Sequence, residues 1–361
     1  MDRIAVIAND SNGLWLFRRD LIASLVSRGC KVFLITPFTG DEDNLRSLGA
    51  ELIEADIDRR GTNPLADMKL LEEYKRLLKK TDPQLVITYT IKPNIYGGRA
   101  AASLGIPYAA NITGLGTAFE RGKLLQTVVV TMYKNALKKA KVVFFENSEN
   151  RRIFTELGIV PKEKTFVLSG AGVDLERFAL LPYPDGPTRF LFMGRIMQEK
   201  GVDELFEAME RLRSEGEDCF LDILGYYEED KYKALIEKSE ASGWLRFCGY
   251  QSDVRPYIQG CHCFVLPSWH EGMANTNLEA ASCGRPVITS DIPGCREAVE
   301  DGVSGYLSKV KDVQSLYECM KRFMRLEQQA RAEMGRRGRL LMEQVFDKKK
   351  VVELTIEKLF E

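Results

Sequence analysis

The sequence lacks a long hydrophobic run, since no stretch approaches the roughly 18 consecutive apolar residues of a membrane-spanning helix. Its first residues enter a strand-like run, RIAVIA, without the basic-then-apolar order of a signal peptide. The eight cysteines show no spacing typical of a disulfide framework, and seven of them fall in the second half. We therefore expect a cytoplasmic protein, either free or peripheral on the inner face of the cell membrane.

A strong charge of one sign is also missing. The formal net charge is −1, because residues 1–175 carry 25 Lys and Arg against 20 Asp and Glu, whereas the remainder carries 26 against 32. Nucleic-acid-binding proteins need a much stronger basic field than this mild asymmetry. We therefore expect no nucleic-acid partner.

Histidine is scarce, and the sequence contains only His262 and His270. His262 lies between Cys261 and Cys263 in CHCFVLPS, which could indicate a metal site. Side chains alternate along a strand, however, so His262 would point away from both sulfur atoms. We interpret this run as a buried strand.

One further pair of carboxylates, in Asp56-Ile57-Asp58, has the spacing of metal-dependent transferases. Such pairs recur by chance in a chain with 52 acidic residues, and no strand pattern places this pair at a ligand site. We therefore expect no bound metal.

Short strand-like runs alternate with longer amphipathic stretches along the whole chain, which predicts an α/β fold with parallel sheets covered by helices. The runs are RIAVIA, KVFLIT, QLVITY, YAANI and VVFFE in the first half, and RFLFMG, CFLDILG, RFCGY, CFVLP and PVITS in the second. We predict two doubly wound, Rossmann-like domains facing across a cleft, with ligands bound at the carboxyl ends of the strands. The predicted boundaries are 1–172 for the first domain, 173–187 for a Gly- and Pro-containing linker, and 188–345 for the second domain.

The stretch HEGMANTNLEA, residues 270–280, places two carboxylates around the expected start of a helix. The helix is predicted to start near Ala274 or Asn275 and to end before Gly284. Glu271 would then project from the preceding loop, with Glu279 about one turn inside the helix. Backbone N–H groups near Met273 to Thr276 would favour an anion such as a diphosphate between them. Two solvated surface glutamates are the alternative interpretation of this stretch alone.

A second stretch, MGRIMQEKG (residues 193–201), also follows a strand of the second half. Arg195 and Lys200 can supply positive charge to the same diphosphate, and Gly194 leaves room for close approach. Ordinary surface charges at a helix start would give the same pattern.

These motifs together carry a resemblance. Glu271-x7-Glu279, preceded by MGRIMQEKG and followed by GRPVITSDIPGCREAV, resembles the retaining glycosyltransferases of family 4, which have the GT-B fold. The first half, through GTNP, KPNIYGG, NITGLGTAF and FFENSENRRIF, resembles a subgroup that extends sugars linked to undecaprenyl diphosphate in capsule, exopolysaccharide or glycoprotein glycan assembly. The resemblance implies a transfer of a hexose or N-acetylhexosamine from a UDP-sugar to a lipid-linked saccharide acceptor, with no other cofactor.

The resemblance also implies roles for individual residues. It assigns the catalytic region to Glu271, at the transferred sugar, and to Arg195 and Lys200, at the donor diphosphate. The other implied donor-binding residues are Gly13, Gly194, Gly249, Tyr250, Met273, Ala274, Asn275 and Glu279, of which Glu279 would hold the ribose and Gly249 and Tyr250 the nucleobase. The implied acceptor-side residues are Asn111, Thr113 and Gly114. By resemblance, residues 346–361 would form a helix that returns to the first domain.

The sequence departs from the family pattern in the first domain, where many members place a histidine near the transferred sugar. Asn111 and Thr113 occupy the corresponding region here. A protein base is not required by the family's same-face mechanism, in which a donor phosphate oxygen takes the acceptor proton.

Three other functions fit a doubly wound architecture. A nicotinamide dehydrogenase is disfavoured because no G-x-G-x-x-G follows RIAVIA. A nucleotide-sugar epimerase would share the diphosphate-binding residues without needing an acceptor. A non-catalytic nucleotide-sugar-binding protein would bind the donor without turnover.

A basic amphipathic stretch, residues 122–143, combines an apolar stripe with Lys134, Lys138, Lys139 and Lys141. Such a helix is typical of contact with an anionic membrane surface, although a helix with one buried face has the same pattern. LWLF followed by Arg18 and Arg19 is a second apolar and basic element in the same domain. We therefore expect that the first domain docks on anionic lipid.

Overall fold

The chain forms two compact units, and a computed structural model describes its residues 2–56, 63–115 and 123–361. The first unit comprises Met1–Ala171 together with Lys349–Glu361, and the second comprises Gly172–Lys348. The second unit is therefore inserted in the sequence of the first. None of the helices in these described ranges is long and apolar enough to cross a membrane.

In its described part, the first unit contains a seven-stranded sheet whose neighbouring strands are all parallel. Its strands are β1 (Arg3–Ile7), β2 (Lys31–Thr36), β3 (Glu51–Glu54), β4 (Leu85–Tyr89), β5 (Tyr108–Ile112), β6 (Val142–Phe145) and β7 (Thr165–Val167). They are arranged in the order β3-β2-β1-β4-β5-β6-β7. Alternate side chains of β1 enter different cores, with Ile4 and Val6 on one face and Ala5 and Ile7 on the other. The sheet is thus buried on both faces, which explains the continuous apolar runs of its strands.

Helices connect these strands and cover both faces of the sheet. They are α1 (Ser11–Ser27), α2 (Glu42–Ser47), α3 (Pro64–Thr81), α4 (Gly98–Ser103), α5 (Lys123–Leu137) and α6 (Ser148–Glu156), with a π-helical turn at Pro93–Gly97 before α4. The carboxylate of Asp10 caps α1, and the side chain of Asn147 caps α6. Both caps directly follow a strand, so each helix begins at the carboxyl edge of the sheet.

The second unit contains a six-stranded parallel sheet with the order β10-β9-β8-β11-β12-β13. Its strands are β8 (Thr188–Met193), β9 (Cys219–Leu224), β10 (Leu245–Gly249), β11 (Cys263–Leu266), β12 (Val287–Ser290) and β13 (Gly305–Ser308). Its helices are α7 (Val202–Ser214), α8 (Tyr232–Ala241), α9 (Arg255–Gly260), α10 (Asn275–Ser282), α11 (Val313–Met324) and α12 (Gln328–Val345). The two sheets have the doubly wound topology that the alternating sequence pattern predicts.

Residues 173–187, predicted as a linker, belong to the second unit, where Val173 and Phe178 are buried in its core. The backbone of Val173 also exchanges hydrogen bonds with Phe346 and Lys348, so the beginning of this segment is packed within the second unit, whereas residues 185–187 are exposed. The domain limits predicted from sequence stay predictions.

The last helix, α13 (Lys348–Phe360), packs within the first unit. Val351, Ile356 and Leu359 are buried in the same core as Ile4 and Val6 of β1. The chain thus covers one face of its first sheet with its final helix.

All eight cysteines lie in the described residues and are free thiols. The prediction that CHCFVLPS is a buried strand is confirmed, because β11 is buried at every position and His262 is 4% exposed. Nδ1 of His262 accepts a hydrogen bond from the backbone N–H of Arg189 at 3.1 Å. Burial, together with the cationic side chains of Arg331, Arg285 and Arg189, lowers the pKa of His262 to about 4.

Candidate active site

The strand order of the second sheet reverses between β8 and β11, which are neighbours in the sheet but distant in sequence. Loops that follow such strands diverge at the carboxyl edge and leave a crevice, where open α/β sheets bind their ligands. The loop after β8 carries Arg195 and Lys200, and the loop after β11 carries Glu271. The two motifs singled out in the sequence therefore lie on either side of one crevice.

Glu271 and Lys200 are in direct contact. The Lys200 ammonium forms an ion pair with Oε1 of the Glu271 carboxylate, and both side chains are largely buried, at 18% and 13% exposure. The hydroxyl of Ser268 donates to the same oxygen at 2.8 Å. The structure thus brings together a cation and a carboxylate from motifs 71 residues apart.

Two neighbours of Glu271 attach its loop to the segment that carries Lys200. The Trp269 backbone N–H donates to the carbonyl of Glu199 at 2.9 Å, and its indole N–H donates to the Glu204 carboxylate at 3.0 Å. His270 Nε2 lies 3.3 Å from the Glu199 carboxylate. Because three successive residues, 269–271, each make such a contact, the relative position of the two loops is fixed in several places.

Arg195 is more accessible, with a side chain that is 41% exposed. Its guanidinium lies 3.6 Å from the Glu228 carboxylate, a loose ion pair at the same carboxyl edge. Such an exposed pair contributes little to stability, so the guanidinium can exchange this partner for a phosphate at low cost.

Helix α10 begins at Asn275, as predicted, with Ala274 at its N-cap, and it ends before Gly284, which has a φ of +74°. Alanine has no side chain that can cap a helix, and no side-chain hydrogen bond caps α10. Glu271 lies in the loop before α10, and Glu279 lies about one turn inside it. An uncapped N-terminus next to paired cations is a favourable place for an anion.

The expectation that the N–H groups near Met273 to Thr276 are free needs a correction at two positions. The Ala274 N–H donates to the carbonyl of Gly294 at 2.7 Å, and the Asn275 N–H donates to that of Met273 at 3.0 Å. The loop folds back on itself and on residue 294, so these two amides are used internally. Met273 and Ala274 are themselves buried.

Glycines permit these close approaches. A Cβ atom on Gly294, where φ is +85°, would lie 2.6 Å from the carbonyl oxygen of Gly272 and 2.7 Å from that of Glu271. Similarly, a Cβ on Gly201 would clash with the Pro267 carbonyl, and one on Gly225 would clash with the carbonyl of Gly194. The loops after β8, β9, β11 and β12 are therefore packed backbone against backbone at this edge.

The residues assigned to the nucleobase follow the edge strand β10. Gly249 has a φ of +65°, and its carbonyl accepts a hydrogen bond from Gly225 N–H at 2.9 Å. Tyr250 is 59% exposed. An exposed aromatic ring beside a backbone turn can stack on a planar ligand.

In the first unit, the strand order reverses between β1 and β4, so the crevice of this sheet lies after those strands. Gly13 lies in the first turn of α1, and its N–H donates to the capping carboxylate of Asp10. A Cβ on Gly13 would lie 2.6 Å from that carboxylate oxygen. The cap gives a local reason for a glycine at position 13. The role implied by resemblance, in which Gly13 lets the backbone approach the diphosphate or the acceptor, stays a prediction.

The acceptor-side residues follow β5. Asn111 is 4% exposed, and its side-chain amide donates to the Thr88 carbonyl at 3.2 Å. Its own carbonyl accepts from the side chain of Asn94 at 2.8 Å. Asn111 therefore joins neighbouring strands inside the first unit, whereas Thr113 and Gly114 are partly exposed beyond the strand.

A buried charge cluster lies at the same carboxyl edge. Arg18 forms an ion pair with Glu146 at 2.6 Å, and its guanidinium lies 4.6 Å from the centre of the Tyr89 ring. Burial alone would lower the pKa of Arg18, but attraction to Tyr89 and Glu146 raises it above its ordinary value. The Arg19 side chain is also only 14% exposed. The expectation that both arginines face a membrane is therefore wrong, because their charges are turned into the unit.

Residues 2–56, 63–115 and 123–361 contain no group of three or more His, Cys, Asp or Glu side chains that could hold a metal ion. The Asp-x-Asp pair cannot be placed, since Ile57 and Asp58 lie outside the described residues. Cys295 lies near the Glu271 carboxylate, and burial together with that charge raises the pKa of its thiol far above the ordinary value. The thiol form of Cys295 is therefore favoured over the thiolate.

Comparison with known proteins decides the class of protein. Residues 175–341 match the family model "Glycosyl transferases group 1", and residues 3–147 match "Glycosyl transferase 4-like". The chain is a GT-B glycosyltransferase. The fold agrees with that of the HepE protein of Anabaena in complex with UDP and glucose, with a TM-score of 0.82, 17% identity and 99% of each chain covered.

Among curated proteins, this glycosyltransferase is 28% identical over 335 residues to N,N'-diacetylbacillosaminyl-diphospho-undecaprenol alpha-1,3-N-acetylgalactosaminyltransferase of Campylobacter jejuni, with 88% of each chain covered. It is 27% identical over 282 residues to UDP-Gal:alpha-D-GlcNAc-diphosphoundecaprenol alpha-1,3-galactosyltransferase of Escherichia coli. That match covers 73% of the present chain and 72% of the relative.

Sequence reasoning missed several residues at the site of this glycosyltransferase. Ser268, Trp269, Glu204 and Gly294 hold the Glu271 loop, yet each is an ordinary residue type in its local pattern. The sequence marks only Ser268 and Trp269, which lie between the end of β11 and Glu271 and are therefore close to the site along the chain.

Proposed function

We propose that this glycosyltransferase moves a hexose or N-acetylhexosamine from a UDP-sugar to a saccharide linked to a polyprenyl diphosphate, with retention of the anomeric configuration. The observation that carries the donor half is the convergence of Arg195, Lys200 and Glu271 at the crevice between β8 and β11. This arrangement offers two cations and a carboxylate at the place where α/β sheets bind nucleotides.

In this proposal, the donor diphosphate lies against Arg195, Lys200 and the first turn of α10, which begins at Asn275 after the buried residues Met273 and Ala274. The helix dipole provides the attraction at this end, since the Ala274 and Asn275 N–H groups are already bonded within the protein. Glu271 accepts hydrogen bonds from hydroxyls of the transferred sugar, and Glu279 accepts them from the ribose. Gly249 and Tyr250 contact the uracil, and Gly194 allows the β8 loop to approach the phosphates. UDP is supported by two similar proteins, the galactosyltransferase of Escherichia coli, which is named for UDP-Gal, and HepE, whose structure is a complex with UDP and glucose.

The chemistry needs no metal in this proposal. An acceptor hydroxyl oxygen forms a bond to the anomeric carbon as the bond from that carbon to the donor β-phosphate oxygen breaks. The acceptor proton passes to an oxygen of the departing diphosphate, on the same face of the sugar. Arg195 and Lys200 stabilise the negative charge that develops on the leaving group.

The acceptor half of the proposal rests on the curated relatives, two of which are named for diphospho-undecaprenol acceptors. We place the acceptor at the carboxyl edge of the first sheet, near Thr113 and Gly114. A lipid-linked acceptor requires access to a membrane, so we also propose that the protein is cytoplasmic and binds the inner leaflet through the exposed Lys134 of α5 and the exposed Lys138 and Lys139 that follow the helix. The partners are then a nucleotide-sugar donor, a lipid-linked saccharide and anionic lipid.

The decisive experiment is a panel of UDP-hexoses and UDP-N-acetylhexosamines, with release of UDP measured with and without a polyprenyl-diphosphate-linked sugar. We expect acceptor-dependent release from one donor, and a loss of at least roughly 100-fold in the Glu271→Ala variant, as for other transition-state contacts of charged groups. An α-linked product seen by NMR would support retention. Conversion of the donor to an epimer without acceptor, or binding without turnover, would contradict the proposal.

A further inference from the structure

The two oxygens of the Glu271 carboxylate have different environments. Both of its hydrogen bonds, from Lys200 and Ser268, go to Oε1. Among the described residues, Oε2 has no protein donor. The carboxylate is therefore held by one oxygen and presents the other.

The two donors to Oε1 differ in mobility. Lys200 has a long flexible stem, and under the proposed function its ammonium must also serve the donor diphosphate. Ser268 is fully buried at 0% exposure, two residues after β11, and its short side chain has one rotatable bond before the hydroxyl. The position of Ser268 is further fixed by Trp269, whose backbone and indole N–H groups are both bound. Ser268 is thus the rigid member of the pair.

We propose that Ser268 is a positioning residue that holds Oε1 of Glu271, so that Oε2 faces the hydroxyls of the transferred sugar. This inference rests on the proposed function, because it concerns how the same site recognises its donor. Without the serine hydroxyl, the carboxylate would be held by Lys200 alone and would rotate whenever Lys200 moved to the phosphate. Ser268 would therefore affect recognition of the sugar and leave recognition of the nucleotide unchanged.

The test compares binding of UDP with binding of the best UDP-sugar of the panel, by isothermal titration calorimetry, in wild type and Ser268→Ala. A hydrogen bond to a charged group is worth roughly 10- to 100-fold in an equilibrium constant. We expect the variant to bind UDP within twofold of wild type, to bind the UDP-sugar about tenfold more weakly, and to lose roughly 10- to 100-fold in kcat. Ser268→Thr, which keeps the hydroxyl, should recover most of the UDP-sugar affinity.

The matched control is Ser304→Ala. Ser304 is also buried, at 2% exposure, and its hydroxyl oxygen accepts one hydrogen bond from the Glu300 N–H at 2.9 Å. It precedes β13 and so lies at the opposite edge of the sheet from the crevice. This variant should keep the UDP-sugar affinity of wild type, even if its melting temperature falls as much as that of Ser268→Ala.

A double-mutant cycle separates positioning from a direct contact with the donor. If Ser268 acts through Glu271, adding Ser268→Ala to Glu271→Ala should not weaken UDP-sugar binding further. Additive losses would overturn the inference, as would equal weakening of UDP and UDP-sugar, or no weakening of either. If any of these results is seen while the wild type still transfers sugar to the acceptor, only the role of Ser268 is overturned. If the wild type binds no UDP-sugar, both the role of Ser268 and the transferase proposal are overturned.

Discussion

At the scale of single residues, Gly294 shows how tightly the Glu271 loop is held. Its φ of +85° favours glycine, and its Cα hydrogens face the carbonyl oxygens of Glu271 and Gly272. Gly216 provides a comparison within the same unit, since it has a φ of +84° with nothing within 4 Å of its would-be Cβ. An alanine would therefore meet the same backbone strain at both positions, but its Cβ would clash only at position 294.

We predict that Gly294→Ala lowers the free energy of unfolding by about 3 kcal/mol and transferase activity by at least roughly tenfold, because the loop must shift. Gly216→Ala should cost only about 1 kcal/mol and leave activity unchanged. Urea unfolding and UDP release measure both effects. Equal effects of the two substitutions would show that the clash at Gly294 is relieved without moving Glu271.

His262 gives a second prediction, on the dependence of stability on pH. Its folded-state pKa of about 4 lies below the value of about 6.5 for an exposed histidine. As the pH falls from about 6.5 towards 4, the unfolded state therefore binds this proton first, and stability that is present above pH 6.5 is progressively lost. The loss amounts to about 2 kcal/mol by pH 5.

This contribution can be isolated because the chain has only two histidines. In His262→Gln, the decrease in unfolding free energy between pH 7 and pH 5 should be smaller than in wild type by that amount. Identical slopes in wild type and His262→Gln would contradict a depressed pKa at His262.

Residue-level prediction from sequence succeeded where chemistry and spacing acted together. Charged residues directly after strands had to meet at the carboxyl edge, and Lys200 and Glu271 do meet there. The supporting contacts of Ser268 and Trp269 depend on side-chain rotamers and on the distance between two loops, which no local pattern specifies. Gly13 was assigned to a ligand by resemblance, and that role stays a prediction, whereas its hydrogen bond to the Asp10 cap depends on three-dimensional geometry that no local pattern specifies.

At the scale of elements, the strands that sequence reasoning missed share a position. They are β3, β7 and β13, each at an edge of its sheet. An edge strand such as β3, with exposed or half-buried side chains, lacks the continuous apolar run of a central strand. The central strands were all recognised from their apolar runs, so the doubly wound topology could be predicted. The number of strands in each sheet was underestimated, because these edge strands were missed.

Helix α5 has the buried face that the sequence predicted, but it ends at Leu137, so of the four predicted lysines only Lys134 lies on it, and Lys141 donates to the Leu359 carbonyl at 2.9 Å. Tyr133, Ala136 and Leu137 are buried, whereas Lys134 is exposed, as are Lys138 and Lys139 just beyond the helix. Arg18 and Arg19 cannot add to this basic surface because their side chains are largely buried. Any electrostatic contact with lipid at this side of the first unit therefore depends on the three lysines.

We predict that replacing Lys134, Lys138 and Lys139 by Gln weakens binding to vesicles containing phosphatidylglycerol by roughly 100-fold, because each lysine near an anionic surface contributes about 1 kcal/mol. The control replaces the exposed Lys231, Lys233 and Lys238 of the second unit and gives the same change in net charge. Co-sedimentation measures both. No dependence on phosphatidylglycerol in the wild type would rule out this membrane contact.

At the scale of the whole molecule, the first unit is completed by the last helix of the chain. Leu359 of α13 is 0% exposed in the core shared with β1, while Leu354 of the same helix is 42% exposed. We predict that Leu359→Ala costs about 3 kcal/mol of stability, whereas Leu354→Ala costs less than about 0.5 kcal/mol. Calorimetric melting of the two variants tests this prediction. The UDP affinity should be unchanged in both variants, because UDP binds to the second unit in our proposal.

The discontinuous course of the first unit also has a consequence for its synthesis on the ribosome. After Ala171 has been translated, the core that contains Ile4 and Val6 has its residues from α1 but lacks those from α13 until Gly172–Lys348 have been made. At a typical rate of translation this interval lasts roughly 10–35 seconds, during which the apolar surface that packs against α13 stays uncovered. The inserted unit has all of its sequence available earlier, so it should reach its native fold before the unit that precedes it, and the nascent first sheet is where a ribosome-associated chaperone should bind.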